Sequence, residues 1–312
     1  MHGALKKHDQ LIRAGSYIEG KWHGKRYIIR RKLGEGAIGT VYLCEANGQQ
    51  YALKMSDEGS SMTVEVNVLK SLGTVQGHIL GPCLLDVDDW ITPGGVNYSF
   101  YVMEYVQGES LARFLRTNGT EWVGVFLLQL LGDLGKLHRE GWVFGDLKLD
   151  NLLVAQSPAR LRWVDVGGVT KIGRSIKEYT EFTDRGYWGL GTRKAEPSYD
   201  LFAVVMLFLN LFFPRRFPKG EHNEQLLFNK IEQVKVFAPY KHCFKKAIQG
   251  KYASSEEMRL DVANAMKRKR VKKKPNVPIK KNKRDQADFY LWAEGGGLAA
   301  AAAIFYALSL IL

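Results

Sequence analysis

Residues 146–151 read Asp-Leu-Lys-Leu-Asp-Asn, and residues 165–168 read Asp-Val-Gly-Gly. Phosphoryl transfer needs little covalent help from a protein, but it needs metal ions on the phosphates and a positioned acceptor hydroxyl. Asp146 can accept the proton of that hydroxyl, and Lys148 can steady the transferred phosphoryl group. Each of these residues alone could equally cap a loop. Together, in this order and at this spacing, they predict the catalytic residues of a phosphotransferase.

Oxygen ligands for a hard divalent cation lie in the same two stretches. Asn151 offers an amide oxygen and Asp165 offers a carboxylate. Proteins bind Mg2+ and Mn2+ through such oxygens, and substrate phosphates commonly complete the Mg2+ coordination. The expected cofactors are therefore ATP, as the phosphoryl donor, and Mg2+ (or Mn2+).

A glycine-rich stretch and a lysine come earlier in the chain. Gly34, Gly36 and Gly39 lie between two predicted strands, and glycine lets a backbone approach phosphates without a Cβ in the way. Alone, this pattern is more typical of a structural turn, and a dinucleotide-binding interpretation is excluded because a strand rather than a helix follows. Lys54 ends the next apolar strand. Such a lysine ordinarily extends into solvent, but behind a glycine loop it can reach the α- and β-phosphates, with Glu65 as its partner.

The apolar pattern changes along the chain from strand-like to helical. Four segments rich in β-branched and aromatic residues predict strands: Tyr27–Leu33, Thr40–Glu45, Tyr51–Met55 and Tyr98–Met103. Helical spacing or a nearly all-apolar run predicts three helices: Met62–Leu72, Glu121–His138 and Asp200–Phe213. The predicted fold class is therefore α+β, with a small β-rich lobe followed by a larger helical lobe.

These residues together resemble the signature of the eukaryotic-like serine/threonine protein kinases of bacteria, over about Tyr27 to Met266. The resemblance implies a bilobal protein-kinase fold that transfers phosphate to protein Ser/Thr hydroxyls. It also implies that adenine contacts the hinge backbone at Glu104 and Val106. The apolar residues implied around the adenine, which could equally be ordinary core, are Leu33, Val41, Ala52 and Leu153.

The C-terminal part of the chain has a composition of its own. Of a net charge of +13, eleven positive charges lie in residues 267–284, which hold no acid. Such a segment is expected to bind a polyanion, either DNA or anionic lipid. The expected polyanion-binding residues are Lys267, Arg268, Lys269, Arg270, Lys272, Lys273, Lys274, Lys280, Lys281, Lys283 and Arg284.

An uncharged segment of 18 residues, 295–312, follows the basic segment. At 1.5 Å per residue a helix of that length is about 27 Å long, close to the thickness of a bilayer core. With the aromatic residues 289–292 it predicts one transmembrane helix, and the preceding positive charge predicts that the rest of the chain lies in the cytoplasm. No secretory signal is expected at the N-terminus, and the three scattered cysteines are expected to be reduced thiols.

The whole layout resembles the YabT-like kinases of spore-forming Bacillus relatives, which join a kinase domain to a basic stretch and a terminal membrane helix. This resemblance implies a membrane-anchored kinase with a role in sporulation. The expected divisions are a lead-in over residues 1–26, an N-lobe over 27–106, a C-lobe over 107–266, a basic juxtamembrane linker over 267–288 and a transmembrane segment over 289–312.

Three features depart from the kinase pattern. Phe144-Gly145 replaces His-Arg before Asp146. In the family, that arginine binds a phosphate on the activation segment, which here is residues 165–194, so this partner is missing. Val166 replaces the phenylalanine after Asp165. The Ala-Pro-Glu element is interpreted as shortened to Lys194–Pro197, with Gly191-Thr192 as a remnant of the peptide-binding loop.

Two alternatives stay open at this stage: a small-molecule kinase on the same fold, and a catalytically weak membrane scaffold. The kinase interpretation predicts autophosphorylation by a neighbouring copy. DNA could hold two copies together and favour that reaction in trans. The candidate acceptors are Thr170, Ser175, Thr180 and Thr183.

Overall fold

An antiparallel sheet of six strands makes up most of the N-terminal lobe in the computed structural model, which describes residues 12–36, 39–56, 59–73, 80–156 and 158–272. Its strand order is β1-β2-β3-β4-β6-β5, and helix α1 follows β4 in the chain. The bounds are β1 Tyr17–Glu19, β2 Arg26–Glu35, β3 Thr40–Ala46, β4 Gln49–Ser56, α1 Gly59–Gly73, β5 Leu84–Ile91 and β6 Asn97–Glu104.

Successive residues of these strands enter two different cores. Leu53 and Phe100 pack in a cluster on one face of the sheet, whereas Ala52 and Tyr101 join the larger cluster that includes residues of α1. This alternation follows from the pleat, which points neighbouring side chains to opposite faces. The four predicted strands and the predicted α1 helix are therefore present.

Two strands of the six-stranded sheet, β1 and β5, were not predicted from the sequence. β1 pairs with β2 and buries Ile18, so the N-lobe sheet begins before the expected boundary at Tyr27. β5 carries acidic residues whose burial no periodicity indicates. Asp86 accepts a hydrogen bond from the Tyr27 hydroxyl at 2.6 Å, and Asp88 accepts from the Trp22 backbone N–H at 2.8 Å. These hydrogen bonds replace water and permit the burial.

The C-terminal lobe is mainly helical. Its helices are α2 Leu111–Asn118, α3 Trp122–Arg139, α4 Pro197–Phe212, α5 Asn223–Gln233, α6 Lys241–Ile248 and α7 Ser255–Lys272. α4 is buried along most of its length, as its apolar composition predicts. Two small sheets, β7-β9-β10 and β8-β11, carry the loops of the site, with bounds β7 Glu109–Ser110, β8 Trp142–Val143, β9 Leu152–Ala155, β10 Arg160–Trp163 and β11 Thr170–Lys171.

The predicted α+β architecture, a β-rich lobe followed by a helical lobe, is thus present, but the C-terminal extension is only partly described. Helix α7 continues through Lys272, into the segment expected to be a linker. Lys267 and Arg268 are exposed on it, whereas the residues from Lys273 onward, including the predicted transmembrane segment, lie outside the described residues. Among the described helices, none combines the length and the apolar character needed to cross a bilayer.

Candidate active site

A buried ion pair joins the N-lobe sheet to helix α1. Lys54 Nζ on β4 lies 2.7 Å from Glu65 Oε1 on α1, and 3.7 Å from Asp165 Oδ1. The Tyr101 hydroxyl donates to the other oxygen of Glu65 at 2.8 Å. Burial opposes the charged form of the lysine, but the carboxylates of Asp165 and Glu65 outweigh it and raise the pKa of Lys54. The lysine is therefore held as a fixed positive charge at the cleft.

The glycine loop connects β2 to β3 directly beside this lysine. Gly34 pairs with Val41, and Val41 pairs with Lys54 on the next strand. The Gly36 N–H donates to the Gly39 carbonyl at 2.9 Å. A Cβ added at Gly39 would lie only 2.3 Å from the Met55 carbonyl oxygen, so this turn requires glycine.

The predicted catalytic residues lie together after β8. Asp146 is buried, and its Oδ2 is 2.5 Å from Lys148 Nζ. Its Oδ1 accepts a hydrogen bond from the Thr180 hydroxyl at 2.8 Å. Asn151 donates through Nδ2 to the Asp146 carbonyl at 2.9 Å. The amide oxygen of Asn151 takes no part in this hydrogen bond.

Asp200, at the start of α4, supports the loop that carries Asp146. This fully buried carboxylate accepts from the backbone N–H groups of Phe144 at 2.7 Å and Gly145 at 3.0 Å, and contacts His138 Nε2 at 2.8 Å. Gly145 has a φ of +81°, and an added Cβ would lie 2.4 Å from the Gly168 carbonyl oxygen. The missing arginine at this position thus has a steric cause, because only glycine fits.

The two expected metal ligands are compatible with Mg2+. The Asp165 side chain is nearly half exposed, and its Oδ1 accepts from the Gly167 N–H at 3.0 Å. Asn151 directs its nitrogen toward Asp146, so its amide oxygen is the atom left for a cation. Within the described ranges, no cluster of three or more His, Cys, Asp or Glu side chains could hold a metal by itself. Mg2+ usually takes one or two protein oxygens together with substrate phosphates and water, and the residues present fit that pattern.

The residues expected around the adenine differ in how deeply they are buried. Ala52 and Val106 are buried, whereas Leu33, Val41 and Leu153 are half-buried. The Glu104 N–H donates to the Cys83 carbonyl at 2.8 Å, and its carboxylate pairs with Arg162 at 2.8 Å. The hinge is thereby tied to both lobes.

Residues 165–194, here called the activation segment, hold the four expected phosphate acceptors in different environments. Ser175 is exposed. Thr170 donates to the Gly168 carbonyl, and Thr180 donates to Asp146. Thr183 is buried and donates to the Thr180 carbonyl at 3.2 Å. Of these four, Ser175 is the one that a neighbouring copy could reach without rearrangement.

A second buried charge cluster follows Thr180 and was not predicted. Asp184 is fully buried and accepts from the backbone of Gly186 and Tyr187, from Arg193 Nε at 2.8 Å and from the Tyr199 hydroxyl at 3.0 Å. Asp184 lies between polar and aromatic neighbours, and no periodic pattern distinguishes it from a surface residue.

The Gly191-Thr192 pair, interpreted as a remnant of the peptide-binding loop, lies in a segment held by side-chain hydrogen bonds. The hydroxyl that reaches Asp146 belongs to Thr180, whereas the Thr192 carbonyl accepts a hydrogen bond from Arg185 Nε at 2.7 Å. Arg185 also pairs with Glu196 at 2.6 Å. The chain between Thr180 and α4, here called the ordered platform, is therefore held by several side-chain contacts, and the interpretation of Gly191-Thr192 stays a prediction.

Comparison with known proteins agrees with this geometry. The protein kinase domain family matches residues 27–282. Serine/threonine-protein kinase YabT of Bacillus subtilis (strain 168) is 46% identical over 276 residues, which are 88% of this chain and 82% of that protein. Sporulation protein kinase mde3 of Schizosaccharomyces pombe is 31% identical over 235 residues, 67% of this chain and 41% of that protein. The predicted resemblance is confirmed, and the chain belongs to the protein kinase family as a serine/threonine protein kinase.

Proposed function

We propose that this kinase transfers the γ-phosphate of ATP to Ser/Thr hydroxyls of proteins, and to itself, with the roles of its residues set by the contacts above. The observation that carries this proposal is that Lys54 is paired with Glu65 and lies 3.7 Å from Asp165. In protein kinases the lysine–glutamate pair and the metal-binding aspartate must both be in place for transfer.

Each residue then has a defined task. Lys54 binds the α- and β-phosphates, and Asp146 accepts the acceptor hydroxyl's proton at a carboxylate oxygen while Lys148 stabilises charge on the transferred group. Asn151 and Asp165 hold the divalent cation, which when bound neutralises charge on the phosphates. The ordered platform after Thr180 offers a surface for a polypeptide acceptor, which supports a protein rather than a small molecule as substrate.

The adenine is proposed to lie against apolar side chains of both lobes. The half-buried state of Leu33, Val41 and Leu153 leaves part of each side chain available for a flat ring. The backbone at Glu104 and Val106 supplies the polar edge in this proposal.

Replacing the proposed base tests these roles. Asp146→Asn keeps the size of the side chain but cannot take up a proton, so the rate of 32P transfer to a generic protein substrate should fall at least about a hundredfold. Nucleotide affinity should stay within a few-fold of wild type, because Asp146 faces the acceptor. Wild-type transfer by this variant would contradict the assignment.

We further propose that the basic segment 267–284 binds DNA and that DNA binding stimulates autophosphorylation in trans. The support is its density of charge, with eleven Lys or Arg and no acid. Backbone phosphates would release counterions on binding, without reading of base sequence. Anionic lipid is the competing ligand, at about 1 kcal/mol per basic residue near the surface.

A chain ending at Gln286 can separate these ligands. It should bind duplexes of unrelated sequence with equal affinity, lose affinity steeply as salt rises, and autophosphorylate faster with DNA. The matched control carries alanine at every Lys and Arg of 267–284 and should lose all three properties. Equal DNA binding by both proteins would show that the segment serves only the membrane.

Membrane anchoring by residues 289–312, with the kinase in the cytoplasm, is likewise a proposal. It rests on the uncharged stretch 295–312 and the preceding positive charge. The full chain should stay in the membrane pellet after alkaline carbonate treatment, whereas the chain ending at Gln286 should be released. A role in sporulation stays a prediction.

A further inference from the structure

Glu178 of the activation segment directs its carboxylate into the nucleotide cleft. Three carboxylate oxygens surround one point beside Gly167, the position that a Cβ would take on that residue. Glu65 Oε1 lies 2.9 Å from that point, Asp165 Oδ1 lies 3.3 Å from it, and Glu178 Oε2 lies 3.6 Å from it. Two of these carboxylates belong to the site already described, whereas Glu178 has no role in it.

Negative charge exceeds positive charge at this place. Lys54 is already paired with Glu65 and close to Asp165, and Lys148 is paired with Asp146. Within the part of the chain that the structure describes, no residue donates a hydrogen bond to the Glu178 carboxylate. Its burial raises the pKa of Glu178, and Glu65 raises it further while Lys54 opposes the rise. The carboxylate thus faces an environment that holds too little positive charge.

Incoming polyphosphate adds more negative charge to the same place. Like charges a few ångströms apart in a partly buried site repel strongly, so Glu178 disfavours a nucleotide that arrives without metal. A divalent cation is the largest local charge in such a site and reverses the sign of the interaction. The same carboxylate then attracts the cation that the nucleotide brings.

We propose that Glu178 makes nucleotide binding depend on the divalent cation, so that the cleft selects the metal-bound form of ATP. This inference rests on the proposed nucleotide site at Lys54 and Asp165. It gives the activation segment a part in nucleotide selection as well as in acceptor binding.

The test is a binding measurement on the full chain in detergent, without any acceptor protein. The probe is an N-methylanthraniloyl derivative of ATP, titrated once with EDTA and once with saturating Mg2+. Glu178→Gln removes the charge at nearly constant size. We expect its affinity for the metal-free probe to rise roughly tenfold, and the preference for the metal-bound probe to fall by a similar factor.

Matched variants make the result specific to this carboxylate. Glu181→Gln removes an exposed charge three residues further along the same segment, and it should leave both affinities at wild-type values. Glu178→Ala should reproduce the effect of Glu178→Gln, whereas Glu178→Asp, which keeps the charge, should retain most of the preference for metal.

An unchanged preference for the metal-bound probe in both neutral variants would overturn the inference while leaving the nucleotide site intact. A wild-type chain that binds the probe under neither condition would instead contradict the proposed nucleotide site itself, and the inference with it.

Discussion

Two charge clusters in this kinase, one around Lys54 and one around Asp184, contain similar residues but differ in whether their charges are balanced. Around Lys54, one ammonium group faces the carboxylates of Glu65, Asp165 and Glu178, and the Asp165 side chain is nearly half exposed. Around Asp184, every partner is supplied by the chain: two backbone N–H groups, Arg193 and Tyr199. Burial and, to a smaller extent, the negative charge of Asp184 raise the pKa of Tyr199, so its hydroxyl stays protonated and donates a hydrogen bond. A cluster with excess negative charge can attract a cationic ligand, whereas a cluster whose hydrogen bonds are all made within the chain stabilises the fold.

Lys54→Arg gives the largest effect expected from this contrast. The positive charge still faces Glu65, but the planar guanidinium cannot take the place of a compact ammonium. Phosphate transfer should fall on the order of a hundredfold or more, while the melting temperature changes little. A fall in both quantities together would mean that the pair at Lys54 is structural, like the cluster at Asp184.

Asp184→Asn should have the reverse profile. The amide cannot match the carboxylate toward the backbone N–H groups, Arg193 and Tyr199, and leaving buried donors poorly paired costs about 1–3 kcal/mol. The ion pair itself adds little, because the Arg193 side chain is 40% exposed. Chemical denaturation should show this loss in the free energy of unfolding. The fraction that stays folded should still bind nucleotide with wild-type affinity, which a nucleotide titration at low temperature would check.

Glu196→Gln probes the rim of the same platform, where the effect should be smaller. The Glu196 side chain is more than one-third exposed, so its pair with Arg185 should contribute about 0–1 kcal/mol. The hydrogen bond from Arg185 lowers the pKa of Glu196. The difference between wild type and variant should therefore be present at neutral pH and disappear as pH falls through that lowered pKa. A difference that grows at low pH would contradict this account.

Ser175→Glu should have the smallest effect of the four. Ser175 is exposed, and the glycine at position 145 offers no cation to an acidic group there. Activity should stay within about twofold of wild type, because an exposed charge is well screened. Ser175→Ala should remove most phosphate from the activation segment in mass spectra. Strong activation by Ser175→Glu would show that another cation, such as Arg174, replaces the missing arginine.

The grouping of the candidate catalytic residues was largely predictable, for physical reasons. Phosphate transfer requires particular groups at particular intervals, and Lys54, Asp146, Asn151 and Asp165 stand in the expected order in the sequence. Of these four, Lys54 also ends a strand that the apolar pattern predicted. The types of these residues and their order along the chain can therefore be recognised in the sequence. The predicted pair of Lys54 with Glu65 is present at 2.7 Å.

Residues whose role depends on a contact across the fold were not predictable in this way. Asp86 and Asp184 look like surface acids, and their burial depends on donors far away or on a turn that folds back. The contact of Thr180 with Asp146, 34 residues apart, was likewise not predicted. The sequence around Glu178 likewise does not indicate that its carboxylate lies near Glu65 and Asp165.

Sequence alone determined the lobes, the reaction class and the candidate residues for phosphate transfer, because spacing and apolar periodicity encode local structure and chemistry directly. Tertiary structure decided which acids are buried, why glycine replaces arginine at position 145, and which activation-segment hydroxyl stays exposed. The physical reason is that burial, charge balance and steric fit depend on the distances between side chains. Those distances exist only once distant segments have packed together.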